Sequence, residues 1–86
     1  MDDVTYATPA LDDQTVSLWG RLTVDLGLHI PIRRGAGLTQ AELADQLGTT
    51  LRTISAWETK EHRPGHFALP YYSALVALTR KHAVRS

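Results

Sequence analysis

The sequence predicts an all-α fold, a small helical bundle, and three observations carry that expectation. Apolar residues recur at helical spacing in three separate stretches: Val16, Trp19, Leu22 and Leu26; Leu43, Ala44 and Leu47; and Tyr71, Leu75, Val76 and Leu78. Residues that start and stop helices lie between the stretches: Thr39 with Glu42 three positions on, Gly48, Thr50, Pro64-Gly65 and Pro70. The chain has 86 residues and no cysteine, so one small domain must fold on apolar packing alone, without disulfides or a cysteine-held zinc ion.

The middle of the chain is the most explicit. Thr39 suits an N-cap, and Glu42 completes a capping box of the form Thr-x-x-Glu. Leu43, Ala44 and Leu47 form an inward stripe, and the small Ala44 lets a second helix cross closely. Gly48 takes the sharp turn, because glycine enters the left-handed region without steric cost. Thr50 caps the next helix, whose inward residues are Ile54, Trp57 and Glu58, with Leu51, Arg52, Ser55 and Ala56 on the outward face. Two short helices joined in this way are a helix-turn-helix, here spanning 39–58, the unit that lays its second helix in the DNA major groove.

The flanks are read in order. Residues 1–11 contain acids, small residues and Pro9, and are expected to form a flexible acidic arm ahead of a DNA-binding domain at 12–86. Asp12 or Asp13 suits the cap of a helix carrying Val16, Trp19, Leu22 and Leu26. Leu22, Val24, Leu26, Leu28, Ile30 and Ile32 also alternate with other residues, which is strand periodicity, so 22–30 is open between helix and strand. Helix over most of 13–36, broken or kinked near Gly27 to Pro31, is favoured; the alternative is a strand at 22–30 pairing with a partner chain, then a short helix from Pro31. After Pro64-Gly65, Pro70 suits the first turn of a further helix, with Arg80, Lys81 and His82 placed to complement its C-terminal dipole.

The order Gln40-x-x-Leu43-Ala44-x-x-Leu47-Gly48-x-Thr50-x-x-x-Ile54-x-x-Trp57-Glu58 resembles the lambdoid phage repressor and Cro family, also called the XRE family. Gly37 to Ala44, Gly48-Thr49-Thr50, and Arg63-Pro64, Phe67, Leu69-Pro70 and Ser73-Ala74-Leu75 are closest to its phage repressors, and the resemblance covers roughly residues 32–78. It implies a first family helix at about 24–36 and a structural ion pair between Arg33 and Glu58. In the phage repressors another short helix follows the last one matched here. The expectation is that this helix is missing, and that the atypical N-terminal segment covers the surface it would occupy.

Net charge is zero, but its distribution suits a nucleic-acid partner. Residues 1–28 hold Asp2, Asp3, Asp12, Asp13 and Asp25 against Arg21, a net −4. Residues 29–86 hold Arg33, Arg34, Arg52, Lys60, Arg63, Arg80, Lys81 and Arg85 against Glu42, Asp45, Glu58 and Glu61, a net +4. The resemblance assigns Gln40 to a phosphate and puts Thr50, Leu51, Arg52, Thr53 and Ala56 on the face turned to bases and backbone; Ser55 shares the outward face. Arg52 is the chosen base reader, its fork matching guanine O6 and N7, with a phosphate contact as the alternative. Leu51 and Ala56 suit thymine methyls, although Leu51 also suits inward packing. Lys60, His62 and Arg63 follow in a loop that in the family runs beside the DNA backbone. The close relatives carry glutamines where Leu51, Arg52 and Ala56 stand, so their operator preference does not transfer.

No enzymatic pattern competes. His29, His62, His66 and His82 have no helical metal-ligand spacing, no phosphate-cradling glycine loop is present, and neither metal nor cofactor is expected. No small-molecule effector is evident. No apolar run reaches the ~20 residues of a membrane span, and no signal peptide is visible, so a cytoplasmic or nucleoid location is expected. The sequence therefore reads as a DNA-binding transcriptional regulator, a repressor or Cro-like switch of phage, plasmid or bacterial origin, bound as a homodimer to a pseudo-palindromic operator in double-stranded DNA. The alternatives are a protein-interaction module such as an antitoxin, and a recombination directionality or architectural DNA-bending factor.

Overall fold

The computed structural model describes residues 11–85, and the side chains of 11–80. The acidic arm expected at 1–11 therefore lies, apart from Leu11, outside the described residues, as do the side chains of Lys81 and His82. The described residues form five α-helices, α1 (Asp13–Asp25), α2 (His29–Gly35), α3 (Gln40–Leu47), α4 (Leu51–Glu58) and α5 (Ala68–Arg85), with a 3-10 turn at Gly65–Phe67. No strand forms among them.

The contested segment is helical with a break, as favoured. α1 stops at Asp25, Gly27 takes φ +74° in the turn, and α2 begins at His29. Pro31 does no harm because it is the third residue of α2, where the missing N–H would have no intrahelical partner. The helix that the resemblance implies at about 24–36 is shorter here, since Gly27 and its turn take up the start of that range.

The apolar face assigned to α1 needs correction. Val16 is buried and Trp19 packs against the core, but Leu22 and Leu26 are 59% and 62% exposed. The helix is rolled instead toward Val16, Gly20 and Thr23, which are its buried residues. Gly20 is the reason: a Cβ there would lie 2.1 Å from Cγ of Tyr72, so only glycine lets the Tyr72 ring of α5 sit against the α1 backbone.

α5 is the spine of the bundle. Tyr71, Tyr72 and Leu75 are buried, and the Tyr71 ring packs tilted against Trp57 of α4 with centroids 4.9 Å apart. Leu43, Ala44, Ile54 and Trp57 complete the core from the other side. α1 packs along α5. α5 starts at Ala68, so Pro70 lies in its first turn as expected, and Gly65–Phe67 winds a 3-10 turn directly into it.

Candidate nucleic-acid interface

The helix-turn-helix forms where the sequence puts it. The Thr39 hydroxyl accepts from the Glu42 N–H at 3.0 Å, and the Glu42 carboxylate accepts from the Thr39 N–H at 2.8 Å. That bond to the Thr39 backbone holds the Glu42 carboxyl below its usual range. Gly48 closes α3 with φ +71°, and the Thr50 hydroxyl accepts from the Thr53 N–H at 3.2 Å to open α4. α3 and α4 then cross at the buried Leu43, Ala44 and Ile54.

The inward end of α4 is held by a polar cluster. Arg33 Nε donates to Glu58 Oε2 at 2.5 Å, and Nη2 donates to Oε1 at 3.1 Å, with both side chains more than nine-tenths buried. Gln40 Nε2 donates to the same carboxylate at 2.9 Å, and Arg33 Nη1 donates to the Leu38 carbonyl at 2.7 Å. Buried His29 adds a bond from Nε2 to the Glu58 carbonyl at 3.1 Å. Burial alone would raise the Glu58 carboxyl, but the Arg33 and Gln40 hydrogen bonds and the Arg33 charge outweigh it and hold the group below its usual range. This cluster fixes how α4 sits on α2 and α3; it offers no exposed nucleophile or base.

The outward face is built differently. Leu51, at 51% exposure, and Arg52 both face solvent, so Leu51 does not pack inward. Ser55 and Ala56 are half-buried behind them, and Thr50 and Thr53 share a hydroxyl–hydroxyl bond at 2.9 Å. One arginine fork and an apolar tip thus stand at the start of an anchored helix, a layout that can present a donor pair and a methyl contact to base edges.

Two residues assigned to phosphates also bond within the chain. Gln40 gives one of its two amide N–H donors to Glu58. Lys60 takes φ +66°, the one non-glycine residue among those described with positive φ, and its ammonium donates to the Asp25 carbonyl at 3.3 Å. That bond satisfies an orphan carbonyl at the end of α1 and ties the helix to the loop after α4. His62 and Arg63 remain exposed beside it, on the rim of a cleft of about 230 Å³ shared with Arg21, Trp57 and Tyr72. Burial pushes the Tyr71 hydroxyl at this cleft well above its usual range.

Sequence reasoning missed Gly20, His29 and the second roles of Gln40 and Lys60. Only Gly20, a glycine inside a helical pattern, left a usable signal; the others depend on contacts across 18 to 35 residues of chain.

The helix-turn-helix family model matches residues 32–65, covering most of α2, the whole of α3 and α4, and the loop carrying Lys60, His62 and Arg63. The match agrees with the repressor and Cro (XRE) type of helix-turn-helix, whose class is that of DNA-binding transcriptional regulators. α1 and nearly all of α5 lie outside the matched segment. Searches of curated proteins and of solved structures returned no match.

Proposed function

We propose that this chain is a non-enzymatic, sequence-specific regulator of transcription, a repressor or Cro-like switch, that reads the major groove with α4 and binds a pseudo-palindromic operator as a homodimer. The observation that carries the reading is the two-sidedness of α4. Its inner face is locked through Glu58 to Arg33, Gln40 and His29, while Leu51 and Arg52 project from its first turn. Arg52 acts as the base reader, with Leu51 and Ala56 against thymine methyls and Thr50, Thr53 and Ser55 toward the backbone. His62 and Arg63 hold phosphate beside the helix, and Gln40 and Lys60 position the elements that do so. One such helix covers only a few base pairs, which is why a two-fold pair is needed.

Fluorescence anisotropy with duplex DNA flanking the chain's own gene, at two salt concentrations, tests this. A preference for that DNA over random duplex of at least about 10³-fold, with both affinities falling as salt rises, is the expected outcome. Equal affinity for the two duplexes would overturn the sequence-specific reading.

A further inference from the structure

α1 has a face that the fold leaves bare. Leu18, Leu22 and Leu26 follow one another at four-residue intervals and are 62%, 59% and 62% exposed. At about 100° per residue they fall within roughly 80° of one another, some 120° around the helix from the buried face of Val16, Gly20 and Thr23. Leu11 and Leu28, also exposed, lie just beyond the two ends of the helix, and Leu28 lines an apolar groove with Pro31, Ile32 and Leu78. Scattered exposed leucines are ordinary, but a contiguous apolar patch of several hundred Å² marks an interaction surface.

We infer that this row is the dimer interface, its occupant a second copy of this chain packed antiparallel about a two-fold axis near Leu22. The inference rests on the two-fold reading proposed above and supplies the surface it lacks. Three features select this occupant. The row is centred on Leu22, so a two-fold axis there sets Leu22 against its own copy and Leu18 against Leu26 of the other, the self-complementarity that an isologous contact requires. Arg21 and Asp25 flank the row along one edge. At about 1.5 Å rise per residue, the same axis lets the two arginines meet at the centre with each flanked by the other copy's Asp25, about 3 Å further along. A parallel two-fold pairing would put these edges on opposite sides of the seam, with no contact between Arg21 of one copy and Asp25 of the other. Two patches of this size, face to face, reach roughly the 1,000 Å² at which a specific interface begins, which suits a pair completed on DNA.

Sedimentation equilibrium of the full chain without DNA, over a concentration series, tests the inference. The unaltered chain is expected to show a reversible monomer–dimer equilibrium. Leu22→Glu raises its dissociation constant by at least about tenfold while leaving the thermal unfolding of the dilute monomer unchanged, because Leu22 is exposed there. Asp25→Arg weakens the dimer, and adding Arg21→Asp restores it. A chain monomeric at every concentration overturns the inference, and so does a dimer indifferent to Leu22→Glu. A lowered melting temperature for the dilute Leu22→Glu monomer also overturns it, by showing that the chain's own residues cover the row. The readout is independent of DNA: an unaltered chain that is monomeric yet prefers its operator sinks this inference alone, whereas a dimer broken by Leu22→Glu that shows no operator preference sinks the proposed function alone.

Discussion

Arg33 and Glu58 are joined by two hydrogen bonds that tie α2 to the last turn of α4, with both side chains almost wholly buried. The pair orients α4 from behind, on the side away from the exposed Leu51 and Arg52. Removing one member strands the other charge, which in buried pairs costs about 3–5 kcal/mol. Glu58→Ala is therefore expected to lower unfolding free energy by about that amount in urea titration. Replacing both, as Arg33→Met with Glu58→Leu, should lose far less stability than either single change. A double variant whose loss equals the sum of the two single losses would show that the ion pair does not couple the two helices.

The same carboxyl sets an acid limit. Glu58 lies below its ordinary value of 4.5 in the folded chain, so its contribution is fully present above that ordinary value and is lost as pH falls through the lower folded one. Asp12 and Glu42, each accepting a capping N–H, are shifted in the same direction. The melting temperature should hold on mild acidification and fall below about pH 4.5. Glu58→Gln should start less stable and fall less steeply, though not flatly, because the two caps remain. A variant that falls as steeply as the parent would remove Glu58 from the cause.

Gly20→Ala tests how α1 is seated. Alanine ordinarily gains about 1 kcal/mol over glycine inside a helix. Here its Cβ would lie 2.1 Å from the Tyr72 ring, and overpacking of that kind costs about 1–3 kcal/mol or more. A net loss in denaturant titration is expected. A gain would mean that α1 does not rest on Tyr72.

Local signals made much of this fold legible. The capping box at Thr39 and Glu42, the left-handed Gly48 and the cap at Thr50 are each decided within four residues, and all three form as read. The Arg33–Glu58 pair came from family resemblance, since no local rule joins positions 25 residues apart. The roll of α1 was misjudged because a count of leucines outweighs one glycine in any periodicity argument, whereas packing against Tyr72 makes Gly20 decisive. Lys60 reads in the sequence as a loop cation because its charge is visible there, whereas its bond to the Asp25 carbonyl, 35 residues away, is not.

Arg63 and Lys60 should now behave differently. Arg63→Ala, exposed beside α4, is expected to weaken binding to all duplexes alike and reduce the salt slope by about one. Lys60→Ala is expected to lower stability as well, through loss of its bond to α1. Anisotropy across a salt series, with melting temperatures alongside, separates the two. An unchanged salt slope in Arg63→Ala would take Arg63 off the backbone.

The central claim is that α4 reads sequence through Arg52, and selection of binding sites from a random duplex pool tests it most directly. The unaltered chain should enrich a two-fold motif with a guanine at a fixed position in each half-site, and Arg52→Ala should relax that position at a cost of about 1–3 kcal/mol while leaving the half-site spacing unchanged. A pool that stays random after selection, or one that Arg52→Ala enriches identically, would contradict it.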